Sequence, residues 1–105
     1  MAIERQIIIA PNAPGASPGA TFDPNPLAAQ AMDQIFWTNN DSQPHWPGRL
    51  NSDGSINKTF FMPNQIAPNG DVSSVFSTVV PTTSSDPLNY ACSLHPGETG
   101  SITIS

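Results

Sequence analysis

Tyr90-Ala91-Cys92-Ser93-Leu94-His95-Pro96-Gly97-Glu98-Thr99-Gly100 is the stretch on which the reading of this chain turns. A thiol and an imidazole stand three residues apart at the end of a strand-like run, in a turn rich in Pro and Gly. The only other histidine, His45, lies far upstream, just after Asn39-Asn40-Asp41-Ser42-Gln43-Pro44. Taken singly, a lone Cys is most often an inert buried residue and a lone His a hydrogen-bonded one. Together, Cys92, His45 and His95 are the strong soft or borderline metal ligands of the sequence. All three fall at predicted strand ends or in adjoining loops, where sites are usually built. One thiolate and two imidazoles in a trigonal plane is the donor set that suits copper in electron-transfer sites.

The rest of the chain is punctuated like an all-β protein. Pro and Gly recur throughout, and no stretch holds a 3.6-residue period for three turns. Strands are expected at Arg5–Ile9, ended by Pro11, and at Gln34–Thr38, stopped by Asn39-Asn40-Asp41. Further strands are expected at Asn57–Phe61, Asp71–Val80, Leu88–Cys92 and Ser101–Ile104. Short strands at this spacing predict a sandwich or small barrel. Residues 27–32 are ambiguous, because Leu27-Ala28-Ala29-Gln30-Ala31-Met32 has helical propensity behind Asn25 as N-cap and Pro26 at the first helical position. That segment is shorter than two turns, so propensity alone does not decide it. Asp23, Asp33, Asp41, Asp53, Asp71 and Asp86 stand beside turn residues and read as turn formers. Trp37 and Met62 read as core, and Tyr90 as a strand residue beside the site.

Composition excludes several classes of function. The chain has 105 residues, which predicts a single domain spanning 1–105. Only 10% of residues are charged, too few for a charge-driven disordered chain or a long surface helix. Three Lys and Arg against eight Asp and Glu leave no electrostatic footprint for nucleic acid. No apolar run approaches the length of a membrane span. One cysteine excludes an internal disulfide and says nothing about compartment. Met1-Ala2-Ile3-Glu4-Arg5 lacks the basic segment followed by a long apolar one that marks a signal peptide.

The segment Asp33–Asp41 through Pro44-His45, together with Tyr90-Ala91-Cys92 through His95 and Gly100, resembles the cupredoxins, and among them the small plastocyanin- and amicyanin-like proteins. The resemblance runs from about Phe22 onward and its two motifs are specific together, whereas a lone Cys-x-x-His would be weak. It implies a Greek-key β-sandwich with one copper at one end and His45, Cys92 and His95 as equatorial ligands. It also implies that residues 27–31 form a strand, and that the protein works outside the cytoplasm with its leader absent from this chain.

The sequence departs from the family in two places. Where the resemblance implies Met as the weak axial ligand, three residues after the second His, the chain has Glu98. Three roles are open to that carboxylate: a solvated loop group, a direct axial oxygen, or an outer group holding an axial water. Of the two metal-facing roles the water is favoured, because a full carboxylate charge on a copper–thiolate centre strongly favours Cu(II). Where this branch often has Asn after the first His, tying the two ligand loops together, the chain has Trp46, so that hydrogen bond is replaced or lost. Trp46 is either a lid over copper or part of a docking patch. With Pro44, Leu94 and Pro96 it would rim His95 with apolar surface of the kind that suits transient redox partners.

The function expected is single-electron transfer through the exposed edge of His95 to a redox protein partner. A second expectation is enzymatic. With Glu98 in place of a thioether the copper has room for a small ligand such as water or nitric oxide, and oxidation of nitric oxide to nitrite is the first chemistry to consider. A copper-storage module is the third, disfavoured because storage proteins usually use several thiols or methionines.

Overall fold

The computed structural model describes residues 3–13, 15–16, 19–77, 82 and 87–105. Among these the regular structure is all strand: β1 Glu4–Pro11, β2 Ala20–Asp23, β3 Leu27–Ala29, β4 Gln34–Asn39, β5 Pro47–Leu50, β6 Ile56–Asn57, β7 Asp71–Val72, β8 Phe76–Ser77, β9 Leu88–Cys92 and β10 Thr99–Ile104. They form two mixed sheets, one in the order β2-β1-β4-β7 with β8 also on β4, the other β3-β10-β9-β5-β6. This is the Greek-key β-sandwich expected from the sequence.

The core follows from strand alternation. Successive side chains point to opposite faces, so every second residue of a half-buried strand turns inward. In β1 these are Ile7 and Ile9, in β4 Ile35, Trp37 and Asn39, and in β10 Ile102 and Ile104, all buried. Tyr90 of β9 completes the centre, its ring edge-on to Phe22 at 4.8 Å and to Trp37 at 5.4 Å. Edge-to-face contacts at such distances are the favoured geometry for aromatic pairs. Trp37 and Met62 are thus core, as expected, and Tyr90, expected as a strand residue beside the site, lies in the core as well. Parallel pairing of β1 with β4, Ile9 opposite Asn39, carries the chain from the core to the end where the His45 loop begins.

Three expected elements differ. Residues 27–32 form no helix, and the strand ends at Ala29 rather than at 31. The Asp33 carboxylate accepts the Gln30 N–H at 2.9 Å, and the Asp33 N–H bonds the Gln30 carbonyl at 3.0 Å, closing a tight turn. Met32 there has a positive φ of 78° and is exposed. The strand expected at 57–61 is confined to Ile56–Asn57, because the Phe60 N–H folds back to the Asn57 carbonyl. An extended chain would send Phe60 and Phe61 to opposite faces. The turn instead lets both pack on Phe76, at 5.3 and 4.9 Å. Finally, Asp71–Val80 is not one strand: Ser73 interrupts it by taking the Trp37 N–H on its hydroxyl. Residues 78–80 and Asp86 lie outside the described residues.

Candidate metal centre

The site is built from two loops at one end of the sandwich. Cys92 is the last residue of β9, fully buried, and the chain turns back within a few residues to begin β10. Three backbone hydrogen bonds fold that turn: His95 N–H to the Cys92 carbonyl at 3.2 Å, Glu98 N–H to the His95 carbonyl at 2.9 Å, and Cys92 N–H to the Glu98 carbonyl at 2.9 Å. The last of these brings Glu98 back beside Cys92. Gly100 serves the same hairpin. It stands opposite Tyr90 in the β9–β10 ladder, and a Cβ at this position would overlap the Tyr90 ring carbon Cζ and hydroxyl. A residue without a side chain therefore lets the Tyr90 ring lie flat over the strand.

The other loop leaves β4 at Asn39, which is buried and bonded at both ends of its amide. Its Nδ2 donates to the carbonyls of Gln43, Ala67 and Ile66 at 2.8, 3.2 and 3.3 Å, and its Oδ1 accepts the Asp41 N–H at 3.0 Å. His45 follows, fully buried and locked to Ile66 by a pair of backbone hydrogen bonds. Its Nε2 lies 2.8 Å from Asp41 Oδ2, so only Nδ1 is left to face the interior of the site.

The two loops bring His45, Cys92, His95 and Glu98 together, with one potential ligand atom from each lying within 4.8 Å of the others. Cys92 Sγ is 3.6 Å from both Nδ1 atoms. Glu98 Oε1 is 3.0 Å from His45 Nδ1 and 3.5 Å from His95 Nδ1. Glu98 is therefore not a solvated carboxylate: its side chain is 5% exposed. With Nδ1 of both rings unprotonated, Oε1 has no donor, and a proton on His45 Nδ1 or a metal ion would meet it. A buried carboxylate oxygen left without a donor is costly, and a cation or a proton at that point relieves it. The donor set of thiol, two imidazoles and carboxylate fits a borderline-soft metal ion rather than a hard one.

No protein-family model and no curated protein matches the chain. Among solved structures it is similar to a purple cupredoxin from Nitrosopumilus maritimus, with 27% identity over 95% of this chain and 98% of that one and a TM-score of 0.74. The chain has the cupredoxin fold, with a cluster of possible metal ligands at one end. More distant cupredoxins share the fold: a pseudoazurin from Sinorhizobium at 16% identity, TM-score 0.63, covering 97% of this chain and 73% of that one, and amicyanin from Paracoccus versutus at 12%, TM-score 0.61, covering 99% and 81%.

Here the two loops are tied without the Asn that the small cupredoxins often carry. Ser93 does it, donating both its N–H and its hydroxyl to the Trp46 carbonyl at 2.8 Å each. The Trp46 N–H in turn points at Cys92 Sγ, 3.4 Å away. The Trp46 ring is not a lid. It packs against the core, its Nε1 donates to the Met62 carbonyl at 3.4 Å, and the Lys58 ammonium sits 5.0 Å over its face. Of the other expected rim residues, Leu94 and Pro96 are exposed beside His95 and Pro44 is half-buried.

An open cleft of about 660 Å³ runs beside the same cluster. Asp41, Ser42 and Gln43 form one wall, His95 to Glu98 another, and the turn after β1 closes it, with the Gly19 position 3.8 Å from Glu98 Oε2. Without metal, burial lowers the His45 pKa, but the thiol of Cys92 and the carboxylates of Asp41 and Glu98 outweigh it and push it up to about 9. Burial also opposes ionisation of Asp41, yet its bonds to His45 and to the Ser42 N–H hold its carboxyl below the usual range.

Asp41, Asn39 and Ser93 were not singled out by the sequence as parts of the site. Asp41 had a signal, four residues before His45 and able to reach back to it. Ser93 had none, since its role depends on how the two loops meet.

Proposed function

We propose that this cupredoxin carries single electrons on one copper per chain, held by His45 Nδ1, Cys92 Sγ and His95 Nδ1, with Glu98 on the axial side. The observation that carries this reading is the convergence of those four donors in one buried cluster, one ligand atom from each within 4.8 Å of the others. Copper bound there supplies one-electron chemistry between Cu(I) and Cu(II). The chain's own residues keep the site from rearranging between the two states. Asp41 fixes the His45 ring, the Ser93–Trp46 bonds fix the two loops, and the Trp46 N–H takes up part of the thiolate charge at Cys92, which tunes the potential. The His95 side chain, 39% exposed, is the edge through which the electron reaches a transient redox partner, with Leu94 and Pro96 as its apolar surround. The cupredoxin relationship supports a location outside the cytoplasm.

Glu98 deepens the reading. A carboxylate that holds a water at the axial side keeps a position exchangeable with small ligands. The cleft beside Glu98 favours a second reading, in which a small molecule reacts there. Oxidation of nitric oxide to nitrite consumes one water, releases two protons and hands one electron to the oxidised protein. Storage finds no support in a site with a single thiol.

The test is spectroscopic. The copper-loaded protein is expected to show an intense thiolate-to-copper band, and Cys92→Ser to lose it while the far-ultraviolet dichroism of a folded β-protein remains. A Cys92→Ser protein that kept its visible band would overturn the ligand assignment. Consumption of nitric oxide by the oxidised protein, with nitrite formed one for one, separates the enzyme from the carrier.

A further inference from the structure

The chain is acidic, with a formal charge of −5, yet its cations are not scattered. Arg5 is bonded to Asp33, Nε to Oδ2 at 2.7 Å. That leaves Arg49 and Lys58, neither of which makes an ion pair among the described residues. They stand close together at the β5–β6 edge of the second sheet. Arg49 is paired across β5–β6 with Asn57, next to Lys58, and the Gly48 position packs directly on the Lys58 backbone. Each cation lies over an aromatic ring, Arg49 at 5.3 Å from the centroid of Phe60 and Lys58 at 5.0 Å from that of Trp46. Each contact biases its cation toward a half-buried aromatic ring.

One of these rings is wired to the metal centre. Trp46 is the residue after His45, and its own N–H points at Cys92 Sγ, 3.4 Å away. The His95 edge has the opposite electrostatic character: its neighbours Asp41 and Glu98 are carboxylates, and no Lys or Arg lines the cleft there.

We propose that Trp46, Arg49, Lys58 and Phe60 form a second electron port, a docking surface for an acidic one-electron redox protein, separate from the His95 edge. The proposal rests on the carrier reading. In the exchange no covalent bond forms or breaks. One electron passes from the reduced copper–thiolate centre through the Trp46 amide and ring to the partner's oxidised centre, leaving Cu(II) on one side and a singly reduced partner on the other. Charge complementarity selects the partner. A basic patch on an acidic molecule orients a negatively charged protein toward itself and away from the rest of the surface.

The experiment measures oxidation of the reduced, copper-loaded protein by two small reagents of opposite charge, hexacyanoferrate(III) and tris(phenanthroline)cobalt(III), at low ionic strength. Arg49→Glu with Lys58→Glu is expected to slow the anionic reagent about tenfold or more and not to slow the cationic one. The difference should vanish near 1 M salt, where the screening length falls to about 3 Å. Lys58→Glu with Glu4→Lys keeps the net charge and must still slow the anion. An unchanged anion rate, an equal fall with both reagents, or full recovery with Glu4→Lys overturns the port. The milder pair Arg49→Gln and Lys58→Gln, with an unaltered visible band, guards against misfolding and should give a smaller fall of the same sign. Electron exchange with neither reagent in the wild type would overturn the carrier reading itself.

Discussion

Asp41 Oδ2 lies 2.8 Å from His45 Nε2, inside the loop that joins the two sheets at the metal end. Asp41 is itself held, its N–H on Asn39 Oδ1 and its Oδ1 on the Ser42 N–H. The carboxylate therefore fixes which nitrogen of His45 is free and where the ring points. A metal-ligating His is regularly oriented in this way by a carboxylate on its other nitrogen.

Asp41→Asn keeps the shape and removes the charge. The expected outcome is a roughly 10- to 100-fold loss of copper affinity, the usual cost of removing such a partner, with the visible band kept at saturating copper. A competition titration against a chromophoric chelator measures it. An unchanged affinity would show that His45 is oriented by its backbone bonds to Ile66 alone.

Protonation of His45 links copper, folding and pH. In the metal-free protein its pKa is raised from 6.5 to about 9. A raised folded-state pKa stabilises when the group is charged, so the contribution is complete below pH 6.5, fades between 6.5 and 9, and is gone above 9. The metal-free protein is expected to lose thermal stability across that window. Copper needs Nδ1 without a proton, so uptake below pH 9 should release one from His45. Thermal scans from pH 6 to 10, with and without copper, check the first. Calorimetry in buffers of different ionisation enthalpy checks the second. A flat metal-free profile would contradict the His45 shift.

How much of this was legible in advance depends on where each interaction is encoded. Ile7, Ile9, Ile35, Trp37, Ile102 and Ile104 announce their strands through alternation, which is local. Cys92, His95 and Glu98 announce their loop through spacing, also local. Phe60 and Phe61 misled, because β-propensity ignores that both rings can share one face when the chain turns at Asn57. Asp33 and Asp41 look alike as turn residues. Only the fold shows that one bonds Arg5 and the other His45. The Ser93–Trp46 tie joins residues 47 apart in sequence and had no local signature.

Gly100→Ala tests the hairpin that carries the ligand loop. The added methyl would overlap the buried Tyr90 ring, which cannot swing aside because Phe22, Trp37 and Phe61 pack around it. Overpacking of this kind costs about 1–3 kcal/mol. Denaturant unfolding should register that loss, with a broadened copper band as the loop shifts. Tyr90→Phe in the same background retains the ring and should recover part of the stability, since the hydroxyl is one of the atoms struck. Equal stability of Gly100→Ala and wild type would mean that the ladder at this point gives way freely.

Glu98 is buried against both histidine rings of the cluster. It stands three residues after His95, and the Cys92–Glu98 backbone bond turns it toward both Nδ1 atoms, with Oε1 3.0 Å from that of His45. If it meets copper, directly or through a water as proposed above, it would offer an oxygen donor stronger than a thioether. With copper bound, a stronger donor from this side would weaken the copper–thiolate bond and move the colour from blue toward purple, red or green. Glu98→Met replaces the hard donor with a soft, weak one and fills the space at the head of the cleft. The expected outcome is a shift to blue, a higher reduction potential, and loss of spectral response to azide or nitric oxide. Glu98→Gln separates charge from shape: it keeps an oxygen in place and should stay nearer the wild-type colour than Met does. The spectra of all three proteins, with and without azide, are the measurement. A wild type already intensely blue, indifferent to azide and unchanged by Glu98→Met would show that the buried carboxylate takes no part at the metal.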